Sequence, residues 1–228
     1  MFWDSTYIFV IIGAIISAFA SWNVSQTFKK FSKFSNGKGL PAEDVAALIL
    51  HKAGIFDVRI ERIRGSLTDH YSPHEKVLRL SDSVFGSTSV AAIGVAAHEC
   101  GHAIQQKVGY FPLKLRAASV PIANIGSKLS WPIILVGLIF DWIGLTQIGV
   151  LLFAFVVLFQ LITLPVEFNA SNRALSILKE RNLLIGGELK GATKVLRAAA
   201  LTYVAALFSA ILQLLRLILL ARNNDRRK

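Results

Sequence analysis

A single cysteine in 228 residues leaves Cys100 without an internal partner. That scarcity excludes a disulfide scaffold and any metal site built from several thiolates. Charge is sparse too: 17% of residues are Asp, Glu, Lys or Arg, against roughly a quarter in ordinary soluble domains. Acids are the scarcer sign, 14 against 25 Lys and Arg, for a formal net charge of +11. Histidine is rare as well, with five in the chain and none after His102. No internal repeat and no low-complexity tract is present, so a solenoid or a biased linker protein is excluded.

What is abundant is apolar sequence. Hydrophobic residues make up 54% of the chain and mean hydropathy is +0.54, which excludes a disordered chain. Residues 6–22 carry no charge and, at 1.5 Å per residue, approach the thickness of a hydrocarbon core. A cleaved signal peptide needs a basic segment first, yet residues 1–6 hold only Asp4, while Lys29, Lys30, Lys33 and Lys38 follow the apolar run. The expectation is an uncleaved anchor, amino terminus outside, next segment cytoplasmic. Two further apolar arms, 131–145 and 148–164, are interrupted around Asp141, Gly144 and Thr146-Gln147 and predict a helical hairpin through the membrane. Residues 199–220 hold one charge, Arg216, and make another span. In such a chain the basic excess reads as membrane topology, and nucleic acid is not expected as a partner. If 199–220 crosses fully, the basic tail RNNDRRK ends outside, against the positive-inside rule; either that segment is not a simple span or the orientation is reversed.

The expected organisation is a membrane anchor (1–22), a water-facing domain (23–128), a transmembrane hairpin (129–164), a polar helical stretch (165–198), and a last transmembrane helix with the basic tail (199–228). Within the water-facing part, GLPAEDVAALILHKAGI (39–55) predicts a helix, with Pro41 near its start, acids in its first turn and Gly54 at its end. DVRIERI (57–63) alternates and predicts a strand. LTDHYSPHEKVLRLS (67–81) predicts a hairpin turning at Ser72-Pro73. Residues 90–107 predict a helix, capped from Ser87-Thr88-Ser89 and closed near Gly109.

That last helix carries the chemistry. His98-Glu99-Cys100-Gly101-His102 places two imidazoles at i and i+4, on one helix face, where both can reach one ion. Two histidine nitrogens suit Zn²⁺, and Glu99 can take a proton from a water at an open ligand position and return it to a leaving amine. This is the HExxH pattern, and a chance match is expected about 0.003 times in a chain of this composition. Gly94, Ala97 and Gly101 leave room for something to approach. A plain pair of helix-surface histidines would need polar partners in this otherwise apolar stretch.

A catalytic zinc site needs a third protein ligand. The carboxylates beyond His102 are Asp141, Glu167, Glu180, Glu188 and Asp225. Asp141 falls in the hairpin turn, across the membrane from the motif, and Asp225 in the tail. Glu180 and Glu188 sit among Lys179, Arg181 and Lys190. Glu167 stands alone in LPVEFNASNRAL, just after Pro165 is expected to start a helix, and Ala170, Ser171 and Ala174 would allow close packing against the His98 helix. A hairpin that crosses twice returns Glu167 to the side of the motif. Glu167 is therefore the expected third ligand.

VAAHECGHAIQQ, with LPVEFNASNRAL after an apolar hairpin, resembles the bacterial YugP-like family of membrane neutral zinc metallopeptidases, and more distantly the HtpX-like membrane proteases. The resemblance runs from the KVLRLS region to about residue 200. It implies that His98, His102 and Glu167 bind zinc and that Glu99 is the catalytic acid/base. In the HtpX-like pattern an Asp four residues after the glutamate ligand supports a histidine; here Ser171 holds that place, leaving Asn169, Asn172 or Arg173 to serve behind the ligands. The resemblance further implies that KVLRLS (76–81) is an edge strand pairing with extended substrate, the plainer reading being an ordinary edge strand of a small sheet. His70, His74, Tyr71 and Arg173 are candidates to stabilise an oxyanion, with exposed turn residues the plainer reading of the two histidines. His51 ends a helix and Cys100 faces away from the metal side, so neither is assigned a role.

The expected fold is thus a mostly α membrane protein, with a zincin-like α+β catalytic domain, a short sheet packed on the HExxH helix and three to four transmembrane helices. The expected function is a membrane-embedded zinc endopeptidase acting on protein or peptide substrates at the bilayer of a bacterial cell, with its active site on the cytoplasmic side. The rival is a non-catalytic membrane protein with a structural zinc site, which would have no need of Glu99.

Overall fold

In the computed structural model, residues 5–225 are described, the last three by backbone alone. The first four residues of the expected anchor and the end of the basic tail lie outside them. The elements are α1 (Tyr7–Phe31), α2 (Ala42–Lys52), β1 (Arg59–Ile63), β2 (His70–Ser72), β3 (Val77–Ser81), α3 (Val90–Lys107), α4 (Phe111–Ile139), α5 (Ile143–Glu180) and α6 (Gly186–Asp225). They form two compact units. One is built from residues 22–113 and 166–200, the other from 5–21, 114–165 and the chain from 201 onward.

The first unit contains the sheet and the HExxH helix. Pro41 precedes α2, Glu43 and Asp44 occupy its first turn, and Gly54 takes a φ of +70° just beyond it, where a side chain would be strained. The sheet order is β1-β3-β2, with β1 parallel and β2 antiparallel to β3. The hairpin expected over 67–81 is therefore present, but its second arm is the central strand. Val77, Leu78, Leu80 and Ser81 are all buried, so β3 is covered on both faces. Its β2 side is closed beyond the three paired residues by Asp69, which accepts from the Ser81 amide at 2.7 Å and hydroxyl at 2.9 Å. KVLRLS accordingly offers no free edge to a substrate. The cause is β1, which pairs along the other side of β3 from a distant stretch of chain.

Ser89 caps α3, its hydroxyl accepting from the Ala92 amide. At the other end Gly109, at φ +65°, donates to Gln106 O while Tyr110 N reaches Gln105 O, the paired bonds of a Schellman stop. Between these ends Ala92, Ile93, Ala96, Cys100 and Ala103 enter a core shared with Ile49 and Leu50 of α2, Leu78 and Leu80 of β3, Ala174 and Leu178 of α5, and Val195 of α6. Small residues dominate the α3 contribution, which lets neighbouring backbones come close.

The second unit is apolar helix. α1, α4, α5 and α6 are each long and apolar enough to cross a membrane. Their large side chains stand exposed, Ile15, Phe19, Leu151 and Leu161 among them, as lipid-facing surfaces do. Glycines let the helices approach: a Cβ on Gly126 would lie 2.6 Å from Leu152 O, and one on Gly149 would strike Ile134. Arg216, 6% exposed, lies 4.1 Å from the centroid of the Tyr7 ring and 6.0 Å from that of Trp131, so the one charge in the last apolar run is held against aromatic faces.

Element limits differ from the periodicity in four places. α4 begins at Phe111, well before the expected arm at 131, because Pro121 and Pro132 lie within the helix rather than ending it. α5 likewise runs through Pro165, where a new helix was expected. The turn joining α4 and α5 is tighter than the interruption at 141–147, with Asp141 at φ +51°. Finally, α5 ends at Glu180 and α6 starts at Gly186, so the polar stretch 165–198 is split by a turn at Asn182, an amide residue that tolerates its φ of +50°.

Candidate metal centre

α3 supplies two donors and α5 the third. His98 and His102 are one helical turn apart, with ring centroids 4.8 Å apart and planes at 85°. Glu167 projects from α5 and is 2% exposed. Its Oε2 lies 3.3 Å from His98 Nε2 and 3.6 Å from His102 Nε2. Ligands about 2.0–2.1 Å from a tetrahedral ion stand about 3.3 Å from one another. Two imidazole nitrogens and one carboxylate oxygen at that separation make a donor set that fits a divalent ion such as zinc. Among the described residues this is the one group of three or more His, Cys, Asp or Glu side chains so disposed.

Close packing of α3 on α5 makes this possible. Gly101, between the two histidines, faces the α5 backbone, and a Cβ there would lie 2.5 Å from Ala170 O. The small residues at 170 and 174 are both fully buried, as their expected contact with the HExxH helix requires. Gly101→Ala is expected to push α3 off α5, costing about 1–3 kcal/mol of stability. Zinc retention should fall in parallel, because the same displacement separates His98 from Glu167. Thermal unfolding and bound-zinc assay of the purified variant check this.

Glu99 is buried at 8% exposure on α3, between the two histidines in sequence. Burial works against charge on His102, but the neighbouring carboxylates of Glu167 and Glu99 outweigh it, so the imidazole pKa is raised. Protons would therefore compete with a metal ion for this imidazole as pH falls. Asp69 is also within the electrostatic reach of Glu99. Burial and that neighbouring charge raise its carboxyl pKa, against the hydrogen bonds from Ser81 that lower it.

The outer partners are only partly those the sequence indicated. His98 Nδ1 lies 3.0 Å from Ser171 Oγ, so the residue standing at the HtpX-like aspartate position still meets a histidine. His102 Nδ1 lies 3.0 Å from Oε1 of Gln105, a fully buried amide that sequence reasoning passed over. Its signal was its place three residues beyond His102, on the same helix face. Gln105 Nε2 reaches Val166 O at 2.8 Å and Asn169 Oδ1 at 3.0 Å, and Arg173 Nε donates to the same Asn169 oxygen at 2.7 Å. Asn169 and Arg173 thus stand behind His102 through Gln105, whereas Asn172 is exposed.

The remaining candidates lie apart from the three donors. His70 bonds the Thr68 carbonyl through Nδ1, His74 is an exposed turn residue, and Tyr71 donates its hydroxyl to Gln106 on α3. His51 packs on Phe56 at the end of α2. Cys100 is fully buried, and burial pushes its thiol pKa well up, away from any nucleophilic role. Of the rejected carboxylates, Glu188 accepts from the amides of Gly37 and Ile185 at the start of α6, and Glu180 closes α5 in solvent.

Residues 6–222 match the family described as "Putative neutral zinc metallopeptidase". The chain belongs to that family. It is similar to the "Putative membrane protease YugP" of Bacillus subtilis (strain 168), at 42% identity over 218 residues, covering 95% of this chain and 97% of the relative. No solved structure matches it. Family membership and the four long apolar helices together make it an integral, multi-pass bacterial membrane protein.

Proposed function

We propose that the chain is a membrane-embedded zinc endopeptidase, with zinc held by His98, His102 and Glu167 and with Glu99 as its catalytic acid/base. The observation that carries this is the approach of two Nε2 atoms to one carboxylate oxygen at 3.3 and 3.6 Å, on the motif that also supplies Glu99. The family and the relative named a membrane protease support the same reading.

When bound, zinc supplies Lewis acidity toward a water molecule and a peptide carbonyl. Glu99 takes the proton of the attacking water and delivers it to the amide nitrogen as the carbon–nitrogen bond breaks. His98 and His102 are held by Ser171 and Gln105, so their ligand nitrogens need no reorganisation. Substrate is an extended stretch of protein at or near the bilayer. The support for extended binding is β2, an outer strand of the sheet and the one tied to α3 through the Tyr71–Gln106 hydrogen bond. The cytoplasmic side is inferred from Lys29 and Lys30 in the last turn of α1 and Lys33 just beyond it.

Detergent-purified protein tests the reading. Stoichiometric zinc, with casein cleavage that a chelator abolishes and added zinc restores, is the expected result. Folded protein that retains no zinc overturns it.

A further inference from the structure

We infer that Gln105 is a positioning residue that dictates which nitrogen of His102 carries the proton. The inference rests on reading His102 as a metal ligand, but the hydrogen-bond chain behind it stands on its own geometry.

The orientation of a side-chain amide is ordinarily assigned from its neighbours, because oxygen and nitrogen look alike. Here the neighbours leave one choice. A guanidinium only donates, so Arg173 Nε, 2.7 Å from Asn169 Oδ1, marks that atom as the amide oxygen. The backbone carbonyl of Val166 only accepts. Gln105 reaches both oxygens with one end, at 3.0 and 2.8 Å, so that end must be the NH₂ group. A flipped Gln105 would set its oxygen against two acceptors in a place with no exposure to water.

The other end of Gln105 is therefore its oxygen, and it lies 3.0 Å from His102 Nδ1. An amide oxygen requires a donor, so Nδ1 carries the hydrogen. In the neutral ring Nε2 is then bare, and Nε2 is the atom that faces Glu167. The permanent charge of Arg173 and the Val166 carbonyl thus define a direction of hydrogen bonding that ends in a lone pair aimed at the ion site. His98 has no such constraint. Its Nδ1 meets the Ser171 hydroxyl, which can donate or accept. The two histidines of the motif are consequently not equivalent: one is locked, the other adjustable.

Gln105 also links α3 to the carbonyl beside Glu167, so a purely structural role must be separated from the positioning role. Gln105→Glu and Gln105→Met do this in the full-length protein in detergent. Both lose the donor to Val166 and Asn169, but Glu keeps an acceptor for His102 Nδ1 and Met does not. Zinc affinity, read by competition with a chromophoric chelator, should fall less for Gln105→Glu than for Gln105→Met, because Glu sets an oxygen against Val166 and Asn169 but still offers His102 an acceptor. It should fall about 10–100-fold for Gln105→Met, the usual effect of losing an outer partner of a metal ligand. Equal losses in the two variants would show a structural tie alone and overturn the proposal. A second readout needs no substitution at 105. In metal-stripped wild type carrying ¹⁵N-histidine, at a pH where imidazole is neutral, the His102 resonances (those missing from His102→Gln) should show the proton on Nδ1. A proton on Nε2 overturns the proposal whatever the variants do. The tautomer is decided equally well in a chain that cleaves nothing, so the failure of the peptidase reading and the failure of this one are distinguishable.

Discussion

Replacing Glu99 by Gln is expected to leave bound zinc unchanged and to lower peptide-bond hydrolysis by about 10²–10⁴-fold, the usual contribution of a positioned acid/base. The substitution keeps side-chain length and volume at a site that is 8% exposed, so packing of α3 against its neighbours is preserved. It removes the one property the chemistry needs, a carboxylate able to take a proton and return it. Glu99 is not among the three donors that converge, so the metal should be unaffected. The measurement is zinc per chain and casein cleavage, side by side, for the wild type and Glu99→Gln. Equal cleavage by both proteins would remove Glu99 from the mechanism. Zinc in both with cleavage in neither would favour a structural metal site.

The second large effect is expected at Glu167. Glu167→Ala removes a direct donor, so zinc affinity should fall by more than the about 10–100-fold typical of outer partners. Cleavage should be lost with the metal rather than independently of it. Because an ion that binds only the folded state stabilises it, added zinc should raise the unfolding temperature of the wild type and leave that of the variant nearly unchanged. Glu180→Gln provides the control: that carboxylate is exposed at the end of α5, and its loss should alter neither zinc nor stability. Zinc affinity retained in Glu167→Ala would mean that another group completes the site.

These two residues show how unevenly the site could be read from the chain. The pairing of His98 with His102 is local: i and i+4 share a face of any helix, and residues 90–107 carry both start and stop signals. Glu167 was reachable by elimination, because few carboxylates follow the motif, Asp141 falls in the hairpin turn, and of the rest only Glu167 stands apart from other charge. The small residues at 101, 170 and 174 gave a further hint, since two helices can approach closely only where side chains are absent. Gln105 was missed because an amide has no fixed chemistry in a sequence. Its role depends on what lies at each end, and the partners of its NH₂ end are more than sixty positions away on α5.

The apolar runs, the HExxH face and the ends of α3 were thus legible in the order of the residues, because each depends on neighbours within a few positions. The chain could not say that β3 would be central. Alternation over 76–81 is the same for an edge strand and an inner one, and only the parallel pairing of β1 from residues 59–63 closes its second side. Nor could it say that prolines 121, 132 and 165 would lie inside long helices, since the usual cost of a proline is relieved by surroundings that local sequence does not describe. The direction of the hydrogen bonds reaching His102 was likewise decided by the packing of α3 on α5. A helix face is a property of spacing, whereas strand order, helix length through proline and the orientation of a buried amide are settled by contacts that exist only once distant segments meet.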